Sequence, residues 1–118
     1  MALQKNDCWI LIPAYNEEKK IGEVVHEIQE GGYHNILVVN DGSKDATSKQ
    51  AAASGAEVID HIINRGQGAA LQTGLSYLSE YIQPACIITF DADGQHRVSD
   101  IEKFLAVDFG VFDIALGS

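Results

Sequence analysis

Short apolar runs alternate with longer segments of mixed polarity along the chain, and this alternation predicts five strands. The runs are unbroken rather than alternately apolar and polar, which is typical of strands covered on both faces. Pro13 follows the first run directly, so we expect that strand to end before it. The predicted strands cover residues 8–12, 36–39, 58–59, 86–90 and 112–116.

The segments between these runs carry the period of amphipathic helices. In the first segment, apolar residues recur at positions 21, 24, 25 and 28, which lie on one helix face. Asn16 is its predicted N-cap, and Gly31 with Gly32 its predicted end. Gly74 lies on the apolar face of the third helix, where it would let the backbone approach the sheet. The other predicted helices cover about 45–54, 69 to about 82, and a short stretch after Ser99.

Strands that alternate with helices through short loops predict parallel pairing with right-handed crossovers. We therefore expect an α/β fold, with an open, mostly parallel sheet and helices on both faces. No repeat, low-complexity stretch or linker interrupts the pattern, so residues 1–118 are predicted to form one domain.

Composition and charge limit the kinds of partner that the chain can bind and indicate the compartment in which it is expected. The chain has 118 residues, is 46% hydrophobic and has a net charge of -9, an acidity that argues against nucleic acid as a partner. Cys8 and Cys86 lie in apolar runs, where reduced core thiols are the ordinary interpretation. No apolar stretch reaches the roughly 18 residues of a membrane helix, and no signal segment is recognisable. These features predict a soluble, cytoplasmic chain.

Polar residues are concentrated where the predicted strands end, which is the edge at which parallel α/β sheets bind ligands. Residues 13–17, 40–43 and 91–95 follow the first, second and fourth strands. Taken singly, residues 41–43 would be an ordinary turn and Glu17 a carboxylate favoured by the helix dipole.

Asp91 and Asp93 are the most informative of these residues, because two crowded carboxylates raise each other's pKa unless a cation lies between them. Together with the neighbouring amide of Gln95 they offer only oxygen ligands. Such a set suits Mg²⁺ or Mn²⁺ better than zinc, and these ions commonly share a substrate diphosphate.

Four segments carry a resemblance to a known family: WILIPAYNEEKKIGEVV at 9–25, ILVVNDGSKDAT at 36–47, NRGQGAALQTGL at 64–75 and ITFDADGQH at 88–96. In this order and spacing they resemble the amino-terminal, nucleotide-sugar-binding half of the family two glycosyltransferases. Within that family they are similar to dolichol-phosphate mannosyltransferase and bacterial polyprenyl-phosphate sugar transferases. The resemblance implies the Rossmann-like half of the GT-A fold, truncated after this half.

The resemblance also implies an activity, namely inverting transfer of a sugar from a UDP-sugar or GDP-mannose to a polyprenyl phosphate or a growing glycan. Members of the family continue past this half with the acceptor site and, in many cases, the general base. No catalytic base is therefore assigned, and the fragment is expected to be inactive alone. The parent protein would work in the cytoplasm or at the cytoplasmic face of a membrane.

The site residues that the resemblance implies fall into two sets. Two positions depart from the family's pattern, because relatives often carry Lys where Gln67 stands and Pro where Arg97 stands. These departures put in question the affinity for phosphate and the shape of the loop after Asp93. The metal ligands for Mg²⁺ or Mn²⁺ would be Asp91, Asp93 and Gln95. The residues that bind the donor would be Pro13, Ala14, Tyr15, Glu17, Asp41, Arg65, Asp91, Ala92 and Asp93.

Two alternatives remain open from the sequence. One is a nucleotide-sugar-binding module without catalysis, and the other is a phosphoacceptor receiver domain, although no lysine follows Lys103 as that fold requires. The exposed edge of the last strand also makes a homodimer plausible. The histidines are the least informative residues: His61 is placed in a loop, and no pair has metal-ligand spacing.

Overall fold

Five strands form one parallel sheet in the computed structural model, which describes residues 4–92 and 114–116. This confirms the predicted α/β fold with its parallel sheet. The helix predicted after Ser99 lies outside the described residues. The strands are β1 (Cys8–Ala14), β2 (Ile36–Asp41), β3 (Glu57–His61), β4 (Cys86–Thr89) and β5 (Ile114–Leu116). The helices are α1 (Ile21–Glu30), α2 (Thr47–Ala53) and α3 (Gln67–Tyr77), with a 3₁₀ turn at Lys5–Asp7 and a π-helical turn at Leu78–Ile82.

The strand order β3-β2-β1-β4-β5 places β1 at the centre of the sheet. The chain builds outward from β1 to β3 and then returns to add β4 on the other side of β1. The boundary between β1 and β4 is therefore the topological switch point, where doubly wound sheets open a crevice for ligands. A receiver domain instead places β3 beside β1, so that alternative is wrong.

The helices cover the two faces of the sheet with separate apolar cores. On one face α1 and α2 pack against residues of β1 such as Ile10 and Ile12, and all four predicted apolar positions of α1 are buried. On the other face α3 packs against Leu11 and Val39. Because consecutive strand residues point to opposite faces, unbroken apolar runs are what this double covering requires.

β1 runs past the point at which the sequence predicted its end. Pro13 lies inside the strand and pairs with Val39 of β2. The Phe90 N–H donates to the Leu11 carbonyl, so Leu11 and, two residues later, Pro13 direct their backbone groups toward β4. The ladder with β4 ends at the Leu11–Thr89 pair. The missing N–H of Pro13 therefore removes no hydrogen bond from this ladder, which explains why the strand continues.

Asn16 does not cap α1, contrary to prediction. The helix begins four residues after the expected start, at Ile21, with a turn closed by hydrogen bonds from the Lys20 and Ile21 amides to the Glu17 carbonyl. Asn16 has a left-handed φ of 53°, and its side-chain oxygen accepts a hydrogen bond from the Lys44 amide at 2.9 Å. Its side chain thus stabilises a neighbouring loop rather than its own helix.

Gly74 lets α3 lie close to the sheet, as predicted. A Cβ at this position would lie 2.3 Å from Cδ1 of Leu11, a side chain that is fully buried in β1. No other residue type fits there without moving the helix or repacking Leu11.

Cys8 and Cys86 are free thiols, both buried, and they pair in register across β1 and β4. A hydrogen bond with Cys86, together with burial, raises the pKa of the Cys8 thiol. Cys8 therefore stays protonated at neutral pH, which fits the predicted reduced core thiol.

The helices within residues 4–92 are all too short or too polar to cross a bilayer. β5 and β3 lie at the two edges of the sheet, and a homodimer through an edge stays a prediction.

Candidate functional site at the carboxyl edge of the sheet

A pocket of about 360 Å³ opens at the carboxyl ends of β1, β2 and β4, over the switch point. Its volume lies within the roughly 300–1,000 Å³ typical of small-molecule sites. Seven residues predicted to bind the donor line this pocket: Pro13, Ala14, Tyr15, Glu17, Asp41, Asp91 and Ala92. The sequence did not single out the other lining residues as donor contacts, and these come from the start of α3 and the loop before it: Asn64, Gly66, Gln67 and Ala70.

Of the predicted site residues that the structure describes, Arg65 does not line this pocket. Arg65 is exposed, and what it contributes here is its backbone N–H, which donates to Asp41. Asp93 and Gln95 lie outside the described residues, so their predicted role as metal ligands stays a prediction.

The loop after β1 and the loop after β2 hold each other through side-chain-to-backbone hydrogen bonds. The Asn16 amide donates to the Ser43 hydroxyl at 2.8 Å. The Glu17 amide donates to the Thr47 hydroxyl, also at 2.8 Å, and Thr47 is fully buried. Since Tyr15 and Glu17 line the pocket, these bonds set the position of one pocket wall.

Asp45 adds further hydrogen bonds between the loops after β1 and β2. Its carboxylate accepts hydrogen bonds from the Thr47 amide and hydroxyl and from the Glu18 amide, while the Glu18 carboxylate accepts one from the Ala46 amide. Burial would raise the pKa of Asp45, but the hydrogen bonds from Thr47 and Glu18 outweigh it and hold that pKa below its ordinary value. The carboxylate thus remains ionised as the acceptor at the start of α2.

The carboxylate of Asp41 joins the end of β2 to the loop before α3. Its Oδ1 accepts hydrogen bonds from the Arg65 amide at 2.9 Å and from the His61 ring at 2.9 Å, and its Oδ2 accepts one from the Gly66 amide at 2.8 Å. Burial would raise the pKa of Asp41, but these three bonds hold it below its ordinary value of 3.8. An ionised carboxylate has about four acceptor positions, and among the described residues these bonds fill three of them.

Gly42 makes room for the same loop. Its φ is +71°, and a Cβ there would lie 2.3 Å from the Asn64 amide nitrogen and 2.3 Å from the carbonyl carbon of Ile63. The Asp-Gly pair therefore has two physical tasks: the aspartate binds the loop, and the glycine lets it pass close to β2.

His61 is a site residue that the sequence analysis placed in a loop and left without a role. It ends β3 in register with Asp41, and its other ring nitrogen lies 2.8 Å from the Thr73 hydroxyl of α3. The available signal was its spacing. His61 follows Ile59 by two residues and so lies on the same face of the sheet, toward α3.

The first turn of α3 faces the pocket without a side-chain cap. Gly66, at the N-cap, has a φ of 99° and no side chain of its own with which to cap the helix, while its amide binds Asp41. A Cβ at Gly66 or Gly68 would have no neighbour within 4 Å, so the space in front of these residues is open. Backbone N–H groups at such a helix start favour an anionic ligand.

Comparison with known proteins identifies the family. Residues 9–117 match glycosyl transferase family 2. The chain belongs to this family. The sequence-based assignment to family two is thereby confirmed.

Two relatives show how much of the sequence this family 2 chain shares with longer enzymes. The UDP-N-acetylglucosamine–dolichyl-phosphate N-acetylglucosaminyltransferase of Methanococcus voltae is 40% identical over 82% of this chain and 45% of its own length. The undecaprenyl-phosphate 4-deoxy-4-formamido-L-arabinose transferase of Salmonella paratyphi B is 31% identical over 89% of this chain and 34% of its own length. The chain thus spans less than half the length of either relative.

Solved structures show the same fold. Glucosyl-3-phosphoglycerate synthase from Mycobacterium tuberculosis, crystallised with Mn²⁺ and UDP-glucose, superimposes with a TM-score of 0.67 at 24% identity. The superposition covers 80% of this chain and 36% of that enzyme. The predicted GT-A fold class of this family 2 chain is therefore confirmed.

The described part of the pocket offers oxygen donors to a metal ion. Within residues 4–92 and 114–116, no three His, Cys, Asp or Glu side chains come together as a metal site. Asp91 and Glu17 contribute carboxylates to the pocket lining. Oxygen donors of this kind fit a hard divalent ion that takes its other ligands from water and a diphosphate.

Proposed function

We propose that this chain is the donor-binding half of a glycosyltransferase that transfers a sugar from a nucleotide-diphosphate sugar to a polyprenyl phosphate. The observation that supports this most strongly is the pocket itself. Residues from three separate segments, Tyr15 after β1, Asp41 at the end of β2 and Asp91 after β4, line one cavity at the switch point. A growing glycan is the alternative acceptor.

The nucleoside would lie between Tyr15 and the loop before α3. Tyr15 is 41% exposed and presents its ring at the pocket, while Glu17 can accept hydrogen bonds from ribose hydroxyls. The remaining acceptor position of Asp41 suits an N–H of the base. Uracil and guanine both carry such a donor, so this contact favours neither nucleotide.

The diphosphate would lie between Asp91 and the first turn of α3. Asp91 and Gly66 line the same pocket, and the helix start offers backbone N–H groups to phosphate oxygens. Gln67 supplies a neutral amide on this wall. Arg65, exposed in the same loop, stays a proposed phosphate contact.

Asp91, Asp93 and Gln95 are the proposed ligands of Mg²⁺ or Mn²⁺. When bound, the ion neutralises the charge that develops on the leaving nucleoside diphosphate. The Mn²⁺ and UDP-glucose in the Mycobacterium tuberculosis enzyme, which has the same fold, support this choice.

The protein itself would contribute to the reaction by orienting the bound donor. Tyr15, Glu17 and Asp41 would fix the nucleoside so that the anomeric carbon faces the acceptor, which attacks it from the side opposite the leaving group and inverts it. The dolichyl- and undecaprenyl-phosphate relatives support a lipid-phosphate acceptor. Its phosphate oxygen is already anionic, so no general base is required of this chain. We also propose that the 118 residues bind the donor on their own without turning it over.

Calorimetry with UDP- and GDP-sugars, with and without Mn²⁺, tests the proposal. We expect one of the two nucleotides to bind and Mn²⁺ to tighten its binding. Asp91→Asn should lose the Mn²⁺ dependence, whereas Glu27→Gln, which removes an exposed carboxylate on α1, should not. If neither nucleotide binds in a metal-dependent way, the donor-site assignment is wrong. Binding without transfer by the complete protein would favour a non-catalytic module.

A further inference from the structure

His61 connects the pocket to the body of the fold through two hydrogen bonds. Its Nδ1 lies 2.9 Å from Oδ1 of Asp41, and its Nε2 lies 2.8 Å from Oγ1 of Thr73. The side chains are nearly removed from solvent, with 7% of His61 and 4% of Asp41 exposed. A single imidazole ring therefore joins the ends of β2 and β3 to the middle of α3.

The chemistry of the partners fixes the tautomer of this ring. An ionised carboxylate only accepts hydrogen bonds, so Nδ1 of His61 must carry a proton to bind Asp41. In the neutral ring Nε2 is then an acceptor, and the Thr73 hydroxyl donates to it. Each of the two bonds uses a different ring nitrogen, so the two can be removed separately.

Both oxygens of the Asp41 carboxylate also accept hydrogen bonds from backbone groups. Arg65 and Gly66 donate their amides to the same carboxylate, one to each oxygen. The His61 bond shares Oδ1 with Arg65 and leaves the second position of Oδ2 without a protein donor in the described part of the chain. Asp41 lines the pocket, and in the proposed function a ligand would use this position.

We propose that His61 is a positioning residue for donor binding, an inference that rests on the proposed function. His61 acts through Asp41: it fixes the rotation of the carboxylate, and the carboxylate in turn holds the Arg65 amide and the amide of Gly66, which lines the pocket. The bond to Thr73 anchors the ring but does not itself shape the pocket. His61 touches neither nucleotide nor sugar.

Two substitutions separate these roles. In His61→Asn the side-chain amide takes the place of Nδ1, so the Asp41 bond is kept and the Thr73 bond is lost. In His61→Gln the longer amide takes the place of Nε2, so the Thr73 bond is kept and the Asp41 bond is lost. We expect donor affinity within about threefold of wild type for His61→Asn and a loss of roughly tenfold or more for His61→Gln, the scale of one bond to a charged group. Thr73→Val should bind donor as His61→Asn does.

The measurements are calorimetric titration with the preferred nucleotide sugar and Mn²⁺, thermal unfolding of each variant, and the ¹⁵N shifts of the His61 ring in the free protein. A merely structural histidine predicts that affinity follows stability in all three variants, and that result would overturn the proposal. Wild-type-like affinity in His61→Gln would overturn it as well. If the wild type binds no nucleotide, the proposed function fails and this inference with it. The ¹⁵N shifts of the His61 ring test the hydrogen bond to Asp41 independently of donor binding. A ring protonated at Nε2 alone would contradict that bond.

Discussion

The Asp41 carboxylate accepts a 2.8 Å hydrogen bond from the Gly66 amide, which ties the end of β2 to the start of α3. The two residues are 25 positions apart in the chain, and both line the pocket. The charge of Asp41 is therefore part of the fold as well as of the site.

This arrangement predicts a specific pH dependence of stability. The pKa of Asp41 is lower in the folded protein than its ordinary value of 3.8, so the ionised form is stabilised by folding. Its contribution is present above about pH 4 and is lost as the pH falls through the lowered pKa. Urea unfolding from about pH 6 to about pH 2.5 should show Asp41→Asn less stable than wild type at the upper end, with the difference shrinking at the lower end.

The control for that experiment is Glu27→Gln, which removes an exposed carboxylate on α1. Its free energy of unfolding should stay within about 0.5 kcal/mol of wild type. A constant difference between Asp41→Asn and wild type across the pH range would contradict the interpretation of Asp41.

Gly42→Ala should displace the loop before α3. The added Cβ would meet backbone atoms of Ile63 and Asn64 at 2.3 Å, and the φ of +71° is unfavourable for alanine. We expect a loss of roughly 3 kcal/mol or more in the free energy of unfolding, together with loss of donor binding.

Gly68→Ala is the matched control for Gly42→Ala. A Cβ at Gly68 has no neighbour within 4 Å, and the residue lies in the first turn of α3. Stability should rise by about 0.4–1 kcal/mol because alanine lowers the entropy of the unfolded chain. Equal destabilisation by both substitutions, measured by chemical denaturation, would argue against the close approach at Gly42.

Gly74→Ala should lower stability by about 1–3 kcal/mol, because the new methyl group overlaps Cδ1 of Leu11. Leu11→Val removes atoms at that contact. In a double-mutant cycle the two substitutions together should cost less than the sum of their separate costs. Strict additivity would mean that α3 and Leu11 do not constrain each other.

Thr47→Val should destabilise the junction of the two pocket loops. It keeps the shape of the side chain but leaves the Glu17 amide without its acceptor, at a position where Thr47 is fully buried. We expect a cost of about 1–3 kcal/mol and weaker donor binding, since Glu17 lines the pocket. Thr47→Ser, which retains the hydroxyl, should lose much less on both measurements.

The sequence predicted the sheet and its helices because these depend on local patterns, and it predicted much of the pocket lining from the strand ends and the family resemblance together. Unbroken apolar runs define strands such as β1, and residues at strand ends such as Asp41 and Asp91 meet wherever the strands are parallel. The role of Gly74 could also be predicted from the local pattern, because a glycine on the apolar face of a helix indicates a close contact between helix and sheet.

Roles that depend on distant partners were missed. Asn16 has the residue type of an N-cap, but its acceptor is used by Lys44, 28 positions away. His61 extends β3 because it pairs with Asp41, and its two hydrogen bonds cross 20 and 12 positions of the chain. Spacing can indicate the face of β3 on which His61 lies but not its hydrogen-bond partners, since these are brought together only when the sheet has formed.

The mutual hydrogen bonding of the loops after β1 and β2 restricts how this protein can be redesigned. Each loop supplies acceptors for the other's amides, as the Asn16–Ser43 and Ala46–Glu18 bonds show. An inserted or deleted residue in one loop would break the spacing that both require. Grafting new loops onto this wall of the pocket therefore means transplanting the two segments as a matched pair.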